Sequence, residues 1–225
     1  MKRILHTIIP LLLLGTSAQA AQITYYGRGN SWDLERFGTK GTTYPQMFYN
    51  ANVVGTAVAK SSGRIYTWLA NGKVFSGNQS NMTQYRAPYN YSSALGTSKD
   101  QILGIAIHPT NDNVYTWYDN GTYSIGRSND LDRYSRGHSF SLPPGKSFDD
   151  IIDMGIAGTS KRVYTWYKDG TVTVGTASDL DFYKSSYDYS PDYPGGCHDK
   201  WLQGVGIKTN NNSDRVISLH SYWVC

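Results

Sequence analysis

VYTWYKDGTVTVGTASDLDFY, from Val163 to Tyr183, is one of several copies of a single pattern. VYTWYDNGTYSIGRSNDLDRY runs from Val114 to Tyr134, and IYTWLANGKVFSGNQSNMTQY from Ile65 to Tyr85. Trp68, Trp117 and Trp166 are 49 residues apart, as are Gly77, Gly126 and Gly175. A period of this length marks an array of supersecondary units, each too small to bury its apolar face alone. Within a copy, V-Y-T-W-Y is β-branched and aromatic, the composition of a strand. Asn71-Gly72, Asn120-Gly121 and Asp169-Gly170 follow; such dipeptides tolerate the positive φ angles of a type I′ turn and predict a hairpin. A second strand comes next (KVFSG, TYSIG or TVTVG), then a DLDRY or DLDFY element and a Tyr/Pro-rich segment. The unit then returns through an apolar strand such as ILGIAI at 102–107.

Three or four short strands in about 49 residues is the size of one β-propeller blade. The chain ends carry the rest of the argument. ITYYGRGNSWDLERF, from Ile23 to Phe37, matches the back half of a copy, and Asp33, Asn81, Asp130 and Asp179 keep steps of 48, 49 and 49. The missing front half recurs at the other end, where GVGIKTNNNSDRVISL (Gly204 to Leu219) puts Leu219 in the tryptophan position. The expected fold is all-β: a small propeller of about four blades, with repeats near 53–101, 102–150 and 151–203 and a split copy made of 204–225 and 21–52. Pairing first strand with last removes the two raw edges that an open row of blades exposes. An open solenoid with degenerate ends is the alternative.

Residues 1–20 read as a secretory signal peptide: Lys2 and Arg3, an apolar run to Leu14, and Ala18-Gln19-Ala20 as a cleavage site. The remainder, 21–225, is one domain, and no later stretch is long enough to cross a bilayer as a helix. Removing Lys2 and Arg3 leaves 19 basic residues against 17 acidic, a nearly balanced charge. With no run of Lys/Arg, nucleic acid is a poor candidate partner. Nineteen tyrosines and 17% charged residues suit a secreted surface that recognises neutral polar ligands, because Tyr offers an apolar ring and a polar tip. Cys197 and Cys225, an even number in an exported chain, predict one disulfide. It closes a loop of about 29 residues and contributes roughly 3–4 kcal/mol in the chain-entropy picture.

No HExxH, GxSxG or P-loop pattern occurs, and the histidines sit at non-equivalent points of the repeats. Asp130-x-Asp132 and Asp179-x-Asp181 pair carboxylates, but the first copy has Asn81 and Thr83 there, so a strut fits better than an acid/base pair. No cofactor, metal site or enzymatic activity is expected. Sugar binding needs an aromatic face for the C–H side of a pyranose and short polar groups for its hydroxyls. Each unit supplies both: Trp68, Trp117 and Trp166; Tyr85, Tyr134 and Tyr183; and the polar residues Ser128, Asp130, Ser178 and Asp179. The same positions also have a purely structural reading, the tryptophans as filling between blades and the post-glycine residues as strand terminators. Repetition of weak sites raises avidity.

VYTWY-x-[ND]-G-T, then S-x-DLD-x-Y, then FSLPPGKSFDDII-x-x-GIA (Phe140 to Ala157) resembles the repeat of the Photorhabdus-type PLL lectins. YRAPYNYS (Tyr85 to Ser92) has the same look, and the resemblance covers nearly all of 21–225. It implies a β-propeller lectin that binds fucose or O-methylated sugars at blade junctions. Those lectins have seven blades whereas this chain supplies about four, so four blades close in one chain or a homo-oligomer forms. Leu219 and Leu69 replace repeat aromatics. A protein-interaction propeller, as a targeting subunit of a toxin or adhesin, and a glycan-cleaving enzyme are the readings from other classes.

Overall fold

In the computed structural model, residues 22–29, 37–42, 53–78, 84–92, 98–127, 137–189, 201–210 and 213–223 are described. They form an all-β protein of sixteen strands. β1 (Gln22–Gly29) and β2 (Phe37–Thr42) precede the first complete sheet, β3 (Val53–Val58), β4 (Ile65–Leu69), β5 (Lys73–Gly77) and β6 (Arg86–Asn90). The second sheet is β7 (Ile102–Ile107), β8 (Val114–Tyr118), β9 (Thr122–Gly126) and β10 (His138–Ser139). The third is β11 (Ile151–Ile156), β12 (Val163–Tyr167), β13 (Thr171–Gly175) and β14 (Lys184–Asp188). β15 (Trp201–Asn210) and β16 (Ser213–Trp223) complete the chain. The fourth sheet has the order β15-β16-β1-β2 and joins the two ends of the chain, with β1 antiparallel to β16 from Gln22–Trp223 to Gly29–Val216. The cleavable leader predicted at 1–20, Cys197 and Cys225 lie outside the described residues.

The hairpins fall where the Asn/Asp-Gly pairs put them, but with a different turn. A type I′ turn needs positive φ at both central residues. Only the glycines have it, at 83° for Gly72, 76° for Gly121 and 85° for Gly170. The N–H of each donates to the carbonyl three residues back, on Leu69, Tyr118 and Tyr167. The geometry is that of a type I turn followed by a left-handed glycine. The preceding Asn or Asp instead uses its side chain: Asn71, Asn120 and Asp169 accept from the N–H of Lys73, Thr122 and Thr171.

Four apolar clusters hold the sheets together, each spanning two of them. Trp68 of the first sheet packs with Ile105, Ile107 and Val114 of the second. Trp117 of the second packs with Met154, Ile156 and Val163 of the third. Trp166 of the third packs with Val205, Ile207 and Val216 of the fourth. Leu219, in the tryptophan position of the fourth, packs with Val58, Ile65 and Phe75 of the first. The first strands of the sheets also lie side by side: β3 contacts β15 and β7, and β11 contacts β7 and β15.

Where these four strands meet, the aligned residues are Gly55, Gly104, Asp153 and Gly204, each just after a register shift in its strand pair. The glycines are required by close approach. A Cβ on Gly55 would lie 2.7 Å from the Ile105 Cβ, and one on Gly204 2.4 Å from the Thr56 Oγ1. Asp153 fills the space they leave and is fully buried. One carboxylate oxygen accepts from the N–H of Thr56 at 2.8 Å and of Val205 at 2.9 Å. The other accepts from Met154 at 2.8 Å, and the Ile105 N–H is a further donor. One side chain thus ties all four first strands together. Loss of water pushes its pKa up to about 8, against the downward pull of those donors.

At the β-hairpin tips, aligned positions reach to the preceding sheet. Asp112 accepts from the N–H of Lys60 and Ser61, at 2.8 and 3.2 Å. The Lys161 ammonium donates to Thr110 Oγ1 at 2.6 Å, and Asp214 accepts from the N–H of Gly158 at 2.9 Å.

Candidate functional site

Trp68, Trp117 and Trp166 are buried completely, at 0% exposure each. None presents a ring face to a ligand, which corrects the expectation that they stack on sugar. Their position on the second strand of each sheet points the indole into the next sheet rather than to solvent, and the Trp117 Nε1–H donates to the Ala177 carbonyl at 3.0 Å. The polar residues after the repeat glycine are tied in through their backbones, although the Ser178 side chain is exposed. The Ser178 carbonyl accepts from the Ser141 N–H at 2.9 Å, and Ser141 and Asp179 form an isolated bridge between the second and third sheets. The Asp179 carbonyl accepts from the Thr176 N–H at 2.7 Å, and Leu180 between the two aspartates is buried in the same inter-sheet cluster. This element is a strut. Its paired carboxylates leave one visible mark: Asp181 is held above its usual pKa by desolvation and then by Asp179 beside it. Ser128, Asp130 and Tyr134 lie outside the described residues.

The tyrosines of the DLDxY element are placed differently. Tyr85 is 47% exposed and Tyr183 49%. Each is fixed from the backbone, its N–H donating to Ser76 or Val174 of the adjacent strand at 3.3 and 3.0 Å. Each ring has a guanidinium against it: Arg64 lies 5.0 Å from the Tyr85 centroid and Arg162 4.3 Å from that of Tyr183. A second pair follows along the outer strand, with Arg86 3.6 Å over the Tyr89 ring and Lys184 3.8 Å over Tyr187. Phe182, 65% exposed, packs edge-on against Tyr183 at 5.0 Å. The rims of the first and third sheets therefore share one frame of two aromatic rings and two cations.

The second sheet breaks this frame. Asn113 stands where the others have Arg64 and Arg162, and His138 where they have Tyr89 and Tyr187. Its rings run instead as a stack, with centroids 6.3 Å apart from Tyr115 to Tyr123 and 5.1 Å from Tyr123 to His138.

The sequence reading selected Tyr85 and Tyr183 but passed over Arg64 and Arg162. Their signal was an arginine in three of the four aligned copies, Arg64, Arg162 and Arg215, with Asn113 the exception. It also passed over Asp153, whose signal was an acid at a position that is Gly in the other copies. Among the described residues no three His, Cys, Asp or Glu side chains converge to hold a metal ion. No helix there is long and apolar enough to cross a membrane.

No protein-family model matches the chain, and no curated protein matches it. Among solved structures it is similar to that of U3-55K, with 9% identity and a TM-score of 0.38. That match covers 70% of this chain, which spans 43% of the length of the other.

Proposed function

We propose that this protein is a secreted, multivalent carbohydrate-binding module, a lectin without enzymatic activity, built as a four-bladed β-propeller. The propeller reading is supported by the cyclic order in which the sheets contact one another, first to second to third to fourth and back to first. Export follows from the leader sequence at 1–20, with Cys197 and Cys225 joined after export. The observation that carries the binding function is the recurrence of an exposed, backbone-anchored tyrosine at Tyr85 and Tyr183, each beside an arginine. A half-exposed phenol ring offers a flat apolar face to the C–H side of a pyranose, with hydrogen-bond donors at its edge. The resemblance to the Photorhabdus-type lectins favours fucose or O-methylated sugars as the ligand class.

A glycan-array screen of the mature, oxidised protein tests this reading. Binding to a narrow glycan group, competed by free monosaccharide and lost in Tyr85→Ala/Tyr183→Ala, supports it. A folded protein that binds no glycan refutes it. One observation favours a second reading, a protein-interaction propeller: Phe182 beside Tyr183 makes an exposed apolar spot. Loss of a captured protein partner in Phe182→Ser, with glycan binding absent, would select it.

A further inference from the structure

The rims of the first and third sheets share their aromatic–cation frame but differ in charge. Four acids of the third sheet, Asp169, Asp179, Asp181 and Asp188, are aligned with Asn71, Asn81, Thr83 and Asn90 of the first. The difference extends beyond these positions. From 36 to 99 the chain contains seven basic residues and no acidic one, whereas 14 of the 17 acidic residues fall between 100 and 200. The overall charge is nearly balanced only because these regions offset each other.

The basic groups of the first sheet have few acidic neighbours. Arg64 and Arg86 lie over Tyr85 and Tyr89, and Lys73 donates to the neutral Asn90 Oδ1 at 2.7 Å. In the third sheet, Lys146 pairs with Asp169. Asp112, from the second sheet, reaches the first sheet's hairpin tip, and its two oxygens accept the backbone N–H groups of Lys60 and Ser61. Among the described residues neither Arg64 nor Arg86 has a carboxylate partner, and such a guanidinium is suited to a bidentate contact with an anionic oxygen pair, while the tyrosine beside it receives a sugar face.

We infer that the rim of the first sheet, around Arg64, Tyr85, Arg86 and Tyr89, binds acidic sugars, carrying a carboxylate or sulfate, and is distinct from the third-sheet rim around Tyr183, which takes neutral ones. This rests on the carbohydrate-binding reading above and divides it between two sites. The opposite charge of the two rims sets the division, because like charge against a ligand group costs affinity and opposite charge adds it.

The test is isothermal titration of the mature protein with a galacturonate oligosaccharide, its carboxyl-reduced neutral counterpart, a sulfated oligosaccharide, and a 20-mer single-stranded DNA. Arg64→Ala/Arg86→Ala is expected to weaken the acidic oligosaccharide by about tenfold or more. Asn71→Asp/Asn90→Asp, which gives the first sheet acids that the third already carries, weakens it by about fivefold. Lys168→Ala, removing one charge from the third sheet, leaves it unchanged. Comparing the carboxylated and sulfated ligands identifies which anion the site takes. Binding of neutral sugars alone, unaffected by the two arginine substitutions, overturns this inference and leaves the lectin reading standing. DNA bound as tightly as the acidic sugar, and equally dependent on Arg64 and Arg86, overturns it in favour of a general polyanion surface. A folded protein that binds no sugar overturns both readings.

Discussion

Where the four first strands meet, aligned positions hold three glycines and one aspartate; at the rim, the first and third sheets are alike and the second differs. In the interior, variation is confined by space. Gly55, Gly104 and Gly204 have no room for a Cβ, and Asp153 is admitted once because the other three leave its volume free. At the rim, space places no such limit, and Arg64, Asn113 and Arg162 occupy one position in successive copies. What varies in the interior is therefore limited by packing volume and what varies at the rim is not, while identity alone separates neither, since Tyr85 and Tyr183 are identical and half exposed. The tryptophans, identical in three copies, belong to the interior.

The largest effect that would test this division is on Trp117→Ala. If the ring is core, the variant loses roughly 3–5 kcal/mol, read as a shift of the urea midpoint. A loss of glycan binding with stability intact would put Trp117 back at the surface and break the comparison. Asp153→Ala comes next. It leaves the N–H groups of Thr56, Val205 and Met154 without an acceptor, and the expected cost is about 3 kcal/mol or more.

Asp153 also gives the comparison a pH axis. Its folded pKa is raised to about 8, so the folded state holds a proton that the unfolded chain releases near 4. Between those values the folded state binds more protons, and stability falls as pH rises. The urea midpoint should decline from pH 5 to pH 8. Asp153→Asn should be less stable at every pH, since its amide turns an N–H toward a backbone N–H, and should lose the declining contribution over that range, leaving the rise that the lowered pKa of His108 gives. A wild-type profile with the same slope as Asp153→Asn across this window would show the carboxylate to be ionised in both states. Gly55→Ala is expected to cost roughly 1–3 kcal/mol, because its methyl meets the Ile105 backbone N at 2.9 Å. The smallest stability change is at the rim, where Tyr183→Ala shifts stability by no more than about 0.5 kcal/mol while removing one proposed sugar contact.

Much of the fold was legible because hydrophobic periodicity and turn residues act locally. The Asn/Asp-Gly pairs located the hairpins, although the asparagines use their side chains rather than a left-handed backbone. The match between Ile23–Phe37 and the back half of a copy marked β1 and β2 as partners of β15 and β16. Which face of a strand meets a neighbouring sheet was not legible, because a repeated aromatic serves a core and a repeated binding site equally well in sequence. Trp68 and Tyr85 recur with the same regularity, yet one is 0% and the other 47% exposed. The rim arginines were passed over because Asn113 interrupts the run in the second copy, although Arg64, Arg162 and Arg215 hold the position in the other three.

The sheet shared by the chain ends has a kinetic consequence. The first three sheets pair strands close in sequence and can form as the polypeptide emerges. β1 must wait for β16, nearly two hundred residues later, and loop closure over that distance is slow. Until then, the nascent molecule exposes the edges of β1 and β3 and the apolar patch of Val58, Ile65 and Phe75 that Leu219 covers. Assembly of this chain is thus gated by its last segment. A product that terminates before β16 is expected to be a substrate for chaperones or proteases rather than a three-quarter version of the protein.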